Sequence, residues 1–477
     1  MTEKENFDIE RYKKIKDVQQ EVVDNLSDSE KQDRGLIRKE VSEAMMLHDA
    51  LLSPEGQEPI IERALARYVE FSHISSDPNL HGCIDSPHGT IPNEGEILNA
   101  VLVDFPESDI HRILELIADI DNRFEEIRAR YPKRKIAQIR EEIAKEIQTK
   151  ADNGEMVHPT ETEILIKIAQ INPDDFFEAN THVIARRAAD LNDISCIIIK
   201  PSRLTVDPNR KAEERAVRKG VQSKEYSLNV QQVINYLMRK FIRETEAPFL
   251  ELNIHGKVNP KEGKKRDIVI GNGMKDSQLP CEPEVAYWME KKLKSALEDR
   301  GLSRKDGQQF TPIVAFEGQA LNGDISNTLR RVGNKYHPGF GKNFQSVQIE
   351  FSKELRIKNP NELSDILAQI IKDFSQEFPT QEALNIYIQK NRTDKDKERA
   401  QGNLVMDEIG ISEDIKEGKI AFNTTFRAAL GIEIGDEVEA NGQKFRVISC
   451  PKELVKARNV FVSPQSGLSG QVIIKKI

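Results

Sequence analysis

Hydrophobic and polar residues alternate strictly in "FLELNIH", Phe249 to His255: Leu250, Leu252 and Ile254 point one way, Glu251, Asn253 and His255 the other. That is the period-two pattern of a strand, and it predicts His255 at the strand's carboxyl end among polar neighbours. The pattern returns in "FQSVQIEFSKELR", where Val347, Ile349 and Phe351 alternate with Gln348, Glu350 and Ser352. Glu350 falls on the polar face of an otherwise buried-looking strand, where a carboxylate needs a partner or a task. Apolar runs at Cys196 to Ile199, in "RDIVIGNG" and in "TPIVAFEGQ" predict further strands. Between them the period changes to that of a helix. Val230, Val233, Ile234, Leu237, Met238 and Phe241 form one stripe; Val285, Trp288, Met289, Leu293 and Leu297 a second; Leu363, Ile366, Leu367, Ile370, Ile371 and Phe374 a third. This rhythm predicts an α/β fold with a mixed or mostly parallel sheet flanked by helices. In such sheets ligands gather outside the carboxyl ends of the strands.

Other stretches depart from that rhythm. Residues 1–68 are charged and read as helical, with a stripe through Leu36, Ile37, Val41, Ala44, Met45, His48 and Leu51, which predicts a helical N-terminal region. Within a domain spanning 69–388, a helical insertion is expected at about 107–150, with stripes on either side of Pro132. The charged run "QKNRTDKDKERAQGN" reads as a linker or an exposed helix end near residues 389–403. Beyond it, residues 403–477 are β-rich and predict a small separate domain, with Asn441 and Gly442 as a hairpin turn.

Composition sharpens this picture. A chain of 477 residues exceeds one ordinary core, so two or three domains are expected. The net charge of −9 argues against a nucleic-acid footprint over the whole protein. "FRAALGIEIGDEVEA" faintly resembles the swapped-hairpin domains of bacterial transition-state regulators, but its turn is a common one, and nucleic acid is not the expected partner. The four cysteines form no CxxC pair, so reduced thiols are expected, not a disulfide framework or a thiolate zinc site. The N-terminus lacks a signal-peptide core, and no run approaches the roughly 18 apolar residues of a membrane span. A cytoplasmic protein with no membrane partner is the expectation; partner proteins could bind its terminal regions.

Candidate chemistry clusters at predicted strand ends. "NLHGCIDSPHGTIPNEGEI" presents His88 on a loop, with Glu94 and Glu96 shortly after. A histidine followed by a carboxylate is the local half of many catalytic zinc sites. "KPSRLTVDPNRKAEE" carries Arg203, Asp207, Asn209 and Arg210. Paired arginines suit a substrate carboxylate through their bidentate fork, and suit a surface salt bridge equally.

Taken in order, "SPHGTIPNEGE", "SRLTVDPNR", "LNIHG", "RDIVIGN" and "VQIEFSKELR" resemble the N-formylglutamate amidohydrolases, over roughly Phe71 to Phe378 less the insertion. The resemblance implies a zinc carboxypeptidase-like fold and cleavage of the amide of an N-acyl amino acid or a small peptide-like substrate. It implies His88, His255 and a carboxylate, Glu94 in preference to Glu96, as Zn2+ ligands. It further implies Asn209 and Arg210, with Arg203, as substrate-binding residues and Glu350 as general base. "FEGQALNGDISNTLRRVGNKYHPGFGKNFQ" follows the family only loosely. Two alternatives stand beside this reading: a zinc carboxypeptidase or polyglutamate hydrolase, and a non-catalytic binding or regulatory module with a vestigial site.

Overall fold

The computed structural model describes residues 69–71, 75–87, 110–131, 136–155, 159–170, 178, 180–199, 234, 237–238, 241–242, 247–260, 266–316, 330–331, 339–454 and 459–477. The chain divides into two compact units, one including 93–172 and the other containing both of the sheets described below.

The first unit holds helices α1 (Ile110–Arg130), α2 (Ile136–Asp152) and α3 (Pro159–Gln170). Leu116, Ile120 and Phe124 on α1 and Ile139, Ile143 and Ile147 on α2 are buried at four-residue spacing, as an amphipathic stripe requires. The unit thus extends beyond the expected insertion at about 107–150 by a third helix, α3. Its Leu165, Ile168 and Ala169 are also buried. Arg140 is buried too, its guanidinium over the Phe124 ring and one nitrogen donating to the Ile168 carbonyl.

The second unit is built on a mixed seven-stranded sheet in the order β1-β3-β2-β4-β7-β5-β6. Its strands are β1 (Val69–Phe71), β2 (Gly82–Ser86), β3 (Ser195–Ile199), β4 (Phe249–Lys257), β5 (Ile268–Gly271), β6 (Pro312–Ala315) and β7 (Phe344–Ser352). β3, β2, β4 and β7 run parallel, β1 and β5 antiparallel to their neighbours β3 and β7. One face is apolar: Ile84, Leu250, Leu252, Ile254, Val347, Ile349 and Phe351 join a single buried cluster with helices α4 (Thr181–Asn192), α5 (Pro283–Asp299) and α7 (Pro360–Glu377). The short helix α6 (Lys353–Lys358) lies between β7 and α7. Ile234, Leu237, Met238 and Phe241 are helical and buried, as their spacing predicts.

The charged run at 389–403 is not a linker. It forms the end of helix α8 (Gln381–Asn391) and helix α9 (Asp394–Ala400), which starts with Thr393 accepting from the Asp396 amide. Arg392 pairs with Glu282 and Glu284, and the buried Arg399 sits 4.0 Å from the Phe316 ring centroid and 3.2 Å from Asp396. These arginines have particular partners, so this part of the segment packs while residues such as Lys390 and Lys397 stay exposed.

The C-terminal residues form a second seven-stranded sheet, in the order β8-β14-β11-β12-β10-β13-β9. Its strands are β8 (Leu404–Met406), β9 (Gly410–Ile411), β10 (Lys419–Phe422), β11 (Glu437–Ala440), β12 (Gln443–Ser449), β13 (Phe461–Val462) and β14 (Val472–Lys476). β11 and β12 are antiparallel, turned by Asn441 (φ 48°) and Gly442 (φ 83°), the two left-handed positions of the expected hairpin. Helix α10 (Thr424–Leu430) is capped by the Asn423 side chain and ends at Gly431 in the left-handed region. Met274 and Leu279, which flank a tight turn after β5, join this sheet's apolar cluster. In that turn the amides of Asp276 and Ser277 donate to the Ala428 and Ala429 carbonyls at 3.0 and 2.8 Å.

Candidate functional site

The other face of the first sheet is polar and buried. Partners in a parallel ladder point their side chains to the same face, so the register assembles rows across β2, β4 and β7. Cys83, Glu251 and Ser346 make one row, Asp85, Asn253 and Gln348 the next; His255 and Glu350 make the third. Asp85, Glu251 and Asn253 are fully buried, and His255 and Glu350 are 4% and 5% exposed. The alternation read from sequence is real. Its polar half faces the protein and not solvent.

In the inner rows, the Arg330 guanidinium lies between two carboxylates, 2.7 Å from Asp85 and in contact with Glu251. Ser346 donates to the other Glu251 oxygen at 2.5 Å. One cation thus serves two carboxylates in a place where an uncompensated charge would be prohibitive. Burial, and after it the charge of Asp85, push the Cys83 thiol well above its ordinary value.

The outer row brings together what the sequence keeps far apart. His255 and Glu350 are register partners on adjacent parallel strands, and Gln348 donates to Glu350 Oε1 at 2.8 Å. His255 Nδ1 lies 3.2 Å from Glu178 Oε2, the same oxygen that accepts from the Gly256 amide at 2.8 Å. An imidazole that donates from Nδ1 to a carboxylate carries its lone pair on Nε2. Arg356, also buried, donates from Nε to the Phe351 carbonyl at 3.2 Å, and its own carbonyl accepts from Asn180 at 3.1 Å. Burial pulls this guanidinium below its ordinary value, opposed by the carboxylates of Glu178 and Glu350. Lys257, next on the same face of β4, is likewise lowered by burial and held up by Asp267 and Glu350. Both carboxylate sides of His255 thus look toward cations.

Of the residues singled out from sequence, His255 and Glu350 stand side by side. His88, Glu94, Glu96, Arg203, Asn209 and Arg210 lie outside the described residues. The described strands β2 and β3 end at Ser86 and Ile199, at the same edge at which β4 carries His255 and β7 carries Glu350. Among the described residues, no group of three His, Cys, Asp or Glu side chains is arranged to hold a metal ion. His255 itself fits the part of one ligand, because an orienting carboxylate on Nδ1 is what a metal-binding imidazole ordinarily has behind it. Sequence reasoning missed Glu178 and Asp85, and it gave Glu251, Arg330 and Arg356 no place in this cluster. Glu178 is one acid in an acid-rich run, and Arg356 closes "VQIEFSKELR", in which only Glu350 draws a role. No local signal distinguishes either.

No helix among the described residues is long and apolar enough to cross a membrane. No family model and no curated protein matches the chain. Among solved structures, the chain is similar to the rationally designed protein mkDPBB_sym1 at 25% identity, over 16% of this chain and 100% of that one, with a TM-score of 0.14. The designed protein apDPBB_sym_79 is similar at 22% identity, over 16% of this chain and 99% of that one, also with a TM-score of 0.14. A gene product of Agrobacterium tumefaciens of known crystal structure is similar at 11% identity over 68% of this chain and 99% of that one, with a TM-score of 0.31.

Proposed function

We propose that the chain is a zinc-dependent amidohydrolase with a carboxypeptidase-like sheet, cleaving the amide of an N-acyl amino acid or a small peptide-like substrate. The observation that carries this reading is the outer row: a histidine and a carboxylate on neighbouring parallel strands, at the edge where such sheets bind ligands. Zinc would be held by His255 with His88 and Glu94, and when bound it supplies Lewis acidity toward the scissile carbonyl. Glu350 takes the proton of the attacking water and returns it to the departing nitrogen, so that the amine leaves neutral. Gln348 donates to Glu350 Oε1 and limits its rotation. Arg210, with Asn209 and Arg203, holds the substrate carboxylate, and a bidentate guanidinium there fixes the amide against the outer row.

Elemental analysis tests the reading at its weakest joint. Purified protein should carry about one zinc per chain, and His255→Ala should lose it, because two ligands hold the ion too weakly. Equal zinc in the two proteins, or none in either after growth with added zinc, would remove the metal from the account.

A further inference from the structure

Glu178 belongs to no motif and Arg356 closes "VQIEFSKELR" without a role there, yet both are built around His255. The Glu178 side chain is 12% exposed, and its Oε2 is shared between the Gly256 amide and His255 Nδ1. Oε1 lies 3.4 Å from the same ring nitrogen. Glu178 stands three residues before α4, whose first residue, Thr181, donates from its hydroxyl to the Glu178 carbonyl at 2.9 Å. The carboxylate is therefore anchored by its own backbone as well as by β4. Arg356 is pressed on the strand from α6: a β-carbon added to Gly256 would sit 2.4 Å from the guanidinium carbon. Only glycine lets the guanidinium lie so close to β4. In that position it is within electrostatic range of both Glu178 and Glu350.

We propose that Glu178 is a positioning residue that holds His255 in the Nδ1–H tautomer with its lone pair on Nε2, and that Arg356, seated on Gly256 and donating to the Phe351 and Lys257 carbonyls, ties together the ends of β7 and β4 that carry Glu350 and His255. The inference rests on the amidohydrolase reading only for its consequence. The contact of Glu178 with His255 Nδ1 and the Gly256 amide stands without that reading. Fixing the ring removes two alternatives, a rotated imidazole and one with its hydrogen on Nε2, and either would present the wrong atom to a metal or to a proton. Arg356 adds a planar, permanently charged group that a lysine cannot copy.

The test is ring 15N–1H correlation spectroscopy on protein labelled at histidine, recorded across pH to reach the neutral ring, with the His255 signals assigned by their loss in His255→Asn. The wild type should give a single Nδ1–H form. Glu178→Ala should give mixed tautomers, and Glu178→Gln, which keeps an acceptor for Gly256 and His255, should retain the fold and most of the Nδ1–H form. Should Glu178→Ala fail to fold, Arg356→Lys gives the second reading: a kcat lower by about 10- to 100-fold with KM little changed, the scale of lost outer-shell support. A single unchanged tautomer in folded Glu178→Ala, or wild-type kcat in Arg356→Lys, overturns the proposal. If the wild type hydrolyses no amide, the amidohydrolase reading fails and the tautomer still decides this one.

Discussion

The two sheets have seven strands each and opposite interiors. In the second, Ser463 is the one buried polar residue from Leu404 onward among those described, and its cluster is filled by Phe422, Phe426, Val438, Val447 and Ile474. The first buries Asp85, Glu251, Asn253, His255, Ser346 and Glu350 on a single face. Both sheets have an apolar cluster that suffices for a fold, so the polar face of the first adds nothing that folding requires. Burying ionised groups costs several kcal/mol apiece before compensation, and here Arg330, Glu178, Arg356 and Gln348 supply that compensation. A face kept polar against such a penalty is where chemistry is expected. The second sheet reads as structure, tied to the first through the Met274 to Leu279 turn.

Breaking the compensation tests that contrast most severely. Arg330→Met strands Asp85 and Glu251 in the interior and should lower stability by roughly 3–5 kcal/mol in urea unfolding. A loss below about 1 kcal/mol would mean the two carboxylates are solvated, and the contrast between the interiors would collapse.

The next effect is smaller and lies at the start of α5. Burial alone would raise the Glu282 carboxyl, but Arg331 and then Arg392 outweigh it and hold it below its ordinary value. A carboxyl depressed in the folded state stabilises above its unfolded pKa, and the gain is lost as pH falls through the folded value. Arg392 is about a quarter exposed. Arg392→Gln should therefore cost roughly 2 kcal/mol near neutrality. Melting temperatures of the two proteins should converge below about pH 4. A deficit that grows on acidification would reverse the assignment.

The smallest effect falls in the second sheet. Gly442→Ala places a β-carbon at φ 83° and should cost about 1 kcal/mol while leaving any hydrolysis unchanged. A change in kcat with this variant would show that the second sheet shapes the site.

Local periodicity carried much of the fold. Phe249 to His255 and Val347 to Ser352 read as strands because alternation is a short-range property, and the Asn441-Gly442 turn was legible because few residues tolerate two left-handed positions. What periodicity lacks is the partner. Alternation is equally compatible with a solvated polar face; it is Arg330 and the register that put Glu251 and Asn253 inside. The same blindness left residues 389–403 open between a linker and an exposed helix end, since Arg392 paired to Glu284 and a solvated arginine are identical in sequence; the helix end is what forms. His255 and Glu350 were each legible at a strand end, but their adjacency is a register between distant strands. Glu178 was invisible because its role consists wholly of a contact with His255 and Gly256.

The polar face is the central claim, and Glu350→Gln tests it most directly. The substitution is nearly isosteric and keeps an acceptor for Gln348, so fold and zinc content should match the wild type. Turnover of N-formylglutamate and related N-acyl amino acids should fall by about two to four powers of ten, the scale of general acid–base help. Wild-type turnover in the variant would contradict the account, and so would a wild type that hydrolyses none of these amides with zinc bound.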